Sequence, residues 1–339
     1  MRHTEKDLSQ FKKDVLELLE IQSPRGDEAT YVEMLLNIAQ IRREKFDSIE
    51  VRLLNTAFKE LRYAMKVFKP YRSVSKAAVF GSARTPRSHA NFKMAGRFGR
   101  DLVKKGWMLI TGGASGIMEA AMIGAGAKNS FGLNILLPFE QDANWVIKDN
   151  AKLIFFKYFF TRKLMFLKES EATVLFPGGF GTFDEGFESF TLVQTGKAKP
   201  RPLVLIDTPG STFWNSTLKL LKKNMEGDKL ISPGDLDLVR HFQDTGEAVK
   251  ELVHFYGNYH SSRFFKDKYL IRLRRPLPAG ALDRLNRDFK YILSVGSFEK
   301  LTDLSFEDNK DRALTRLLFP FNRSSYQGLR LLIDALNKL

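Results

Sequence analysis

Between Lys76 and Ile206 the chain alternates short, almost wholly apolar runs with longer amphipathic stretches. Ala77-Ala78-Val79-Phe80 leads into a helical pattern near Asn91 to Lys105, and Trp107 to Ile110 leads into another from about Ile117 to Ala127. Further runs lie at Gly132 to Leu137, Thr173 to Phe176 and Pro202 to Ile206. A strand with one solvated face alternates apolar and polar residues, whereas runs that are apolar throughout belong to strands covered on both faces. The pattern therefore predicts an α/β fold, a doubly wound parallel sheet flanked by helices. In such sheets ligands bind beyond the carboxyl ends of the strands. Gly81-Ser82, Thr111-Gly112-Gly113, Pro138-Phe139-Glu140 and Pro177-Gly178-Gly179 follow four of the runs, so several loops are expected at one crevice.

On either side the texture differs. Apolar residues at helical spacing, such as Leu8, Phe11, Val15, Leu18 and later Val51, Leu54, Phe58, Leu61, predict two to four helices before the sheet, interrupted at Ser23 to Asp27 and closed by Pro70. After His260, strands are expected at Arg263 to Phe265, Tyr269 to Leu273 and Leu317 to Phe321, with helices at Ala281 to Leu293 and Tyr326 to Leu336. The expected division is an N-terminal helical extension (1–72), a sheet domain (73–260) and a small α+β appendage (261–339).

Composition narrows the chemistry. With no cysteine, disulfides, thiolate catalysis and cysteine-held metals are excluded. His3, His89, His241, His254 and His260 are scattered, with no i, i+4 pair enclosing a carboxylate, so no metal site is expected. No apolar stretch approaches the roughly 18 residues of a membrane span, and the charged N-terminus does not resemble a leader, so a cytoplasmic protein is expected. The net charge of +15 favours anionic partners without choosing among them. Its densest cluster, Arg272-Leu273-Arg274-Arg275, reads more readily as a solvated strand edge than as a binding patch.

The richest segment is Val174 to Ser189, an apolar run that breaks into Gly178, Gly179 and Gly181 and continues as an amphipathic, carboxylate-bearing stretch. Strand, tight loop and helix in that order let backbone N–H groups approach a phosphate at the positive end of a helix dipole. Glu185 falls about one turn past Thr182, which sets a carboxylate beside the anion.

Two motifs carry a resemblance. Gly112-Gly113-Ala114-Ser115-Gly116-Ile117-Met118-Glu119-Ala120-Ala121 and Pro177-Gly178-Gly179-Phe180-Gly181-Thr182-Phe183-Asp184-Glu185 (a PGGxGTxxE pattern) resemble the paired signatures of the LOG ("Lonely Guy") family, once mislabelled lysine decarboxylases. Phe80 to Arg84, Asn134-Ile135 with Leu137 to Gln141, and Phe159 to Lys163 support it, and the likeness runs from about Lys76 to Lys199. It implies a Rossmann-like fold, no cofactor, a homodimer or higher homo-oligomer, and a phosphoribohydrolase that splits nucleoside 5′-monophosphates into free base and ribose 5-phosphate. It implies Glu185 and Arg162 as catalytic residues. It implies a phosphate or substrate site from Gly178, Gly179, Gly181, Thr182, Gly112, Gly113, Gly81, Ser82, Lys163 and Glu119. Cleaving a ribosyl C1′–N bond builds positive charge on the ring, so a carboxylate that stabilises it and orients water suits the chemistry.

Each residue also has a plainer reading. Glu119 is open to ribose or base contact and equally to a helix-dipole role; Gly81-Ser82 to contact or to turn formation; Arg84 to phosphate or to a surface carboxylate. Phe155, Phe156, Tyr158, Phe159 and Phe160 read as core more readily than as base-stacking groups. Ala114 and Gly186 depart from the family pattern, Ala114 by disfavouring positive φ and Gly186 by weakening its helix. The alternative to the enzyme is a non-catalytic nucleotide- or molybdenum-cofactor-binding protein of the same fold, against which Glu185 and Arg162 both speak. Nothing in the sequence carries a helix-turn-helix, zinc or RNA-recognition signature that would indicate nucleic acid.

Overall fold

The structure, a computed structural model, describes residues 2–23, 25–137, 142–301 and 311–339. It divides into two compact units, Met1–Arg62 and Tyr63–Leu339. The first is helical, with α1 (Arg2–Leu18), α2 (Asp27–Arg43) and most of α3 (Ser48–Phe68); Val15 and Val32 are buried within it. Gly26, at φ +56°, starts α2, and Pro70 sits in a 3-10 turn after α3. Pro24 lies outside the described residues.

The second unit opens on β1 (Lys76–Phe80), α4 (Ala90–Lys104), β2 (Met108–Thr111), α5 (Ile117–Ala125), β3 (Ser130–Ile135), β4 (Leu153–Phe156), α6 (Phe159–Glu169) and β5 (Ala172–Leu175). It continues through α7 (Phe180–Gln194), β6 (Leu203–Ile206), α8 (Phe213–Leu221), β7 (Val239–Phe242) and α9 (Thr245–Phe255). The strands form one parallel seven-stranded sheet in the order β4-β3-β2-β1-β5-β6-β7. This is the doubly wound, Rossmann-like arrangement that the apolar runs predict. β1, β2, β3, β5 and β6 are buried along their whole length, which is why they read as largely apolar runs without a polar face. The edge strands β4 and β7 are only partly buried, and β7, Val-Arg-His-Phe, has no apolar run to betray it. The order reverses between β1 and β5, so the topological switch point lies there.

Glycines set the closeness of α4 and α5. A Cβ on Gly99 would fall 2.1 Å from the carbonyl oxygen of Ala121, and one on Gly124 would fall 1.9 Å from that of Gly96. The two helices thus meet backbone to backbone.

The chain ends in β8 (Tyr259–Phe265), β9 (Lys268–Leu273), α10 (Ala281–Asp288), β10 (Glu299–Lys300), β11 (Thr315–Phe319) and α11 (Tyr326–Asn337), the strands forming an antiparallel sheet ordered β10-β11-β9-β8. Phe255, Tyr259, Ile271, Leu317, Phe319 and Leu332 share its core, so the end of α9 belongs to both halves. The edge reading fails for Arg272, since β9 lies between β8 and β11 and Arg272 is buried with Nη1 3.3 Å from Ser261 Oγ, whereas Arg274 and Arg275 follow the strand and are exposed. Arg274 donates to Tyr256 O and Arg275 to Asn337 O. No helix among the described residues is long and apolar enough to cross a membrane.

Candidate active site

Two backbone bonds hold the switch point. Phe176 N–H donates to Phe80 O at 2.9 Å and Ser82 N–H donates to Pro177 O at 3.1 Å, bringing the loops after β1 and β5 side by side. Gly178 is wedged between them, since a Cβ there would lie 2.1 Å from Thr182 Oγ1 and 2.9 Å from Ser82 N. Gly179 and Gly181 are different: nothing lies within 4 Å of a Cβ on either. They border open space.

Gly179 precedes α7 and no side chain caps the helix. Its carbonyl accepts from Thr182 N–H (2.9 Å) and Phe183 N–H (3.2 Å), so the Thr182 amide is engaged within the first turn. Among the described residues the N–H groups of Phe180 and Gly181 have no acceptor, and these face the anion position of a helix N-terminus. Phe180 itself is 95% exposed.

Glu185 is only 6% exposed. Burial pushes its carboxyl up to about 7 although Arg162 and Lys163 pull the other way. Arg162 Nη2 stands 3.5 Å from Glu185 Oε1. The guanidinium lies over the rings of Phe159 (5.0 Å) and Phe166 (5.8 Å), and its Nε is buried without a partner. Burial lowers the Arg162 pKa, against the pull of Glu185. Lys163 turns instead onto α7, with Nζ 2.7 Å from Asp184 Oδ1 and 3.2 Å from Glu188 Oε2. Burial would lower its pKa, but these two carboxylates raise it. Lys163 braces α6 against α7.

The first glycine loop is built mostly by packing. Gly113 (φ +72°) and Gly116 (φ +66°) occupy the left-handed region, and Ala114 does not, so Ala114 carries no strain. A Cβ on Gly116 would meet Ser82 O at 2.3 Å, one on Gly81 would meet Ile117 at 2.6 Å, and one on Gly112 would touch Met118 Sδ at 3.0 Å. Ile117 N–H donates to Ser82 O and Ser115 Oγ–H to Ala83 O, so the loops after β1 and β2 are joined. Ser82 Oγ accepts from Arg84 N–H, the turn reading of that residue; the Arg84 side chain is exposed, with no partner among the described residues. Gly186 lies against Leu175, whose Cδ1 would be 2.6 Å from a Cβ there, so its missing side chain is filled by the strand.

Glu119 is buried, and its Oε1 accepts from Arg87 Nη2 at 2.5 Å and from the Trp145 indole at 2.9 Å. Neither partner stands out in the sequence, because neither belongs to a recognisable motif. Asn144, also unremarked there, donates its amide to Gly113 O and Ala114 O. Of the aromatic run only Phe156 is fully buried, while Phe155, Phe159 and Phe160 are about half exposed, so the core expectation fails for those three. The loop Pro138 to Gln141 lies outside the described residues.

A Rossmann-like sheet with a glycine loop and a buried carboxyl–guanidinium pair at its switch point defines the class. The chain belongs to the LOG family: residues 113–252 match the family model described as "Possible lysine decarboxylase". The cytokinin riboside 5′-monophosphate phosphoribohydrolase LOG1 of Arabidopsis thaliana is 30% identical over 161 residues, covering 46% of this chain and 70% of that protein. The enzyme of that name from Mycobacterium tuberculosis is 27% identical over 132 residues, covering 38% and 68%. Among solved structures, a molybdenum cofactor carrier protein from Chlamydomonas reinhardtii is 23% identical with a TM-score of 0.38, covering 53% of this chain and 98% of that one.

Proposed function

We propose that this protein hydrolyses the N-glycosidic bond of nucleoside 5′-monophosphates, releasing free base and ribose 5-phosphate. The observation that carries the reading is a carboxyl pushed up to about 7, with a guanidinium 3.5 Å away, one helical turn into the helix that starts at Gly179. The Phe180 and Gly181 amides receive the 5′-phosphate in the open space beside Gly179 and Gly181. That places the ribose against α7. As the C1′–N bond breaks, its electron pair stays on the base nitrogen and positive charge grows on the ring; ionised Glu185 stabilises that charge. The same carboxylate takes the proton of the water whose oxygen bonds to C1′, and the departing nitrogen takes up a proton, which balances the reaction. Arg162 favours the ionised form of Glu185 and orients it.

The naming of the relatives as phosphoribohydrolases supports the same chemistry. A homo-oligomeric assembly belongs to this reading, supported by the exposed Phe159, Phe160 and Phe180, and sedimentation velocity tests it. For the activity, the protein is incubated with a panel of nucleoside 5′-monophosphates and the matching nucleosides. Base release from the monophosphates alone, abolished in Glu185→Gln with nucleotide binding retained, is expected. Undiminished turnover in that variant would refute the assignment, and no release from any monophosphate would leave a nucleotide-binding protein.

A further inference from the structure

Trp145 is a large aromatic residue that is 65% exposed yet fixed at both ends. Its indole N–H is held by buried Glu119, whose same oxygen is gripped by Arg87. Its chain neighbour Asn144 is buried and tied to the glycine loop: the backbone N–H donates to Gly113 O at 2.8 Å, and the side-chain amide donates to Gly113 O and Ala114 O at 2.9 and 3.0 Å. An exposed indole on a mobile loop would be an ordinary surface residue. One locked to a buried carboxylate has already lost the rotamer freedom that binding would otherwise cost.

Its place in the fold is specific. Arg87 follows β1, Glu119 stands in the first turn of α5 after β2, and Trp145 lies between β3 and β4. All three come from the carboxyl side of the sheet. They connect to the phosphate loop through a short chain of contacts: Gly116 and Ile117 against Ser82, and Ser82 against Pro177 and Gly178. The loop after β1 thus joins the start of α5, which carries Glu119, to the loop that starts α7.

We infer that Trp145 is the stacking platform for the nucleobase, held in place by Glu119 and Arg87, and that it contributes to the selection of base-bearing substrates. The inference rests on the proposed monophosphate chemistry and names the group that recognises the base. A flat π-surface accepts any base, so the platform provides affinity for the base while leaving purine or pyrimidine choice to other groups. Glu119, neutralised by Arg87, acts as the positioning residue.

Fluorescence separates this inference from the activity. The chain has three tryptophans, and Trp107 and Trp214 are buried, so a change in indole emission at the surface reports Trp145. Titrating Glu185→Gln with AMP is expected to quench emission, while ribose 5-phosphate, which lacks a base, leaves it unchanged; the double variant Glu185→Gln/Trp145→Phe shows no quench. In otherwise native protein, Trp145→Ala is expected to raise KM for AMP about ten-fold or more with kcat little altered, and Trp145→Phe to recover most of the loss. Base release with unchanged KM in Trp145→Ala and no quench would overturn the platform and leave the hydrolase standing. Quenching by AMP in a protein that releases no base would do the reverse.

Discussion

At the scale of single residues the decisive fact is that Glu185 is buried deeply enough to oppose its ionisation. Its folded value of about 7 lies above the ordinary 4.5, so the folded protein holds an extra proton between those values. The stability tied to Glu185 is complete below about 4.5 and is lost as pH rises through about 7. Glu185→Gln removes this dependence. Relative to the native protein, the variant should gain roughly 3 kcal/mol between acid pH and about pH 8, read from denaturant unfolding at each pH. Activity runs the other way: kcat/KM for a monophosphate should rise with pH to a plateau, with an inflection near 7. Because Arg162 favours the ionised form, Arg162→Met should move that inflection to higher pH, seen as an alkaline shift of the profile.

At the scale of elements, packing explains both what the sequence reveals and what it hides. Gly99→Ala would drive a methyl group into the carbonyl of Ala121, and α4 and α5 would have to part. A loss of about 1–3 kcal/mol and a melting temperature lower by several degrees are expected. The five central strands are legible because burial on both faces keeps them mostly apolar, with polar residues confined to a few buried positions such as Lys76, Thr111, Asn134 and Thr173. β4 and β7 are not, because an edge strand of four residues with mixed exposure has no period long enough to notice. The site divides similarly. Gly178 to Glu185 is readable since loop, helix start and carboxylate are contiguous in the chain. Arg87 and Trp145 stand 32 and 26 residues from Glu119 and meet it only through the fold. The half-exposed Phe155, Phe159 and Phe160 show the converse: an apolar run beside a sheet was expected inside, and the alternation of an edge strand and an outward helix face sends much of it out.

At the scale of the second unit, the antiparallel sheet is stitched to the parallel one by buried polar groups. Arg330 of α11 pairs with Glu251 of α9 and, at 3.0 Å, with Asp334, which also holds Arg240 of β7. Asn337 Oδ1 accepts from the amides of Asn258 and Tyr259 at 2.8 Å each. Removing the Arg330 charge strands the partly buried Glu251 and leaves Asp334 with Arg240 alone, so Arg330→Met should cost about 3 kcal/mol. Unfolding should remain a single transition, with both sheets lost together, as followed by near- and far-ultraviolet circular dichroism. The adjacent glycines at the switch point divide two kinds of selection between them. Gly178 has no room for a methyl group within the chain's own packing, whereas Gly179, at φ −90°, has both the room and an ordinary backbone. Gly179→Ala should therefore melt like the native protein yet, if the proposed phosphate site is right, bind monophosphates poorly in calorimetric titration, because the methyl takes the space that the proposal assigns to the anion. On the proposed chemistry, one glycine is answerable to the chain's own architecture, and its neighbour to a molecule that is not part of the chain.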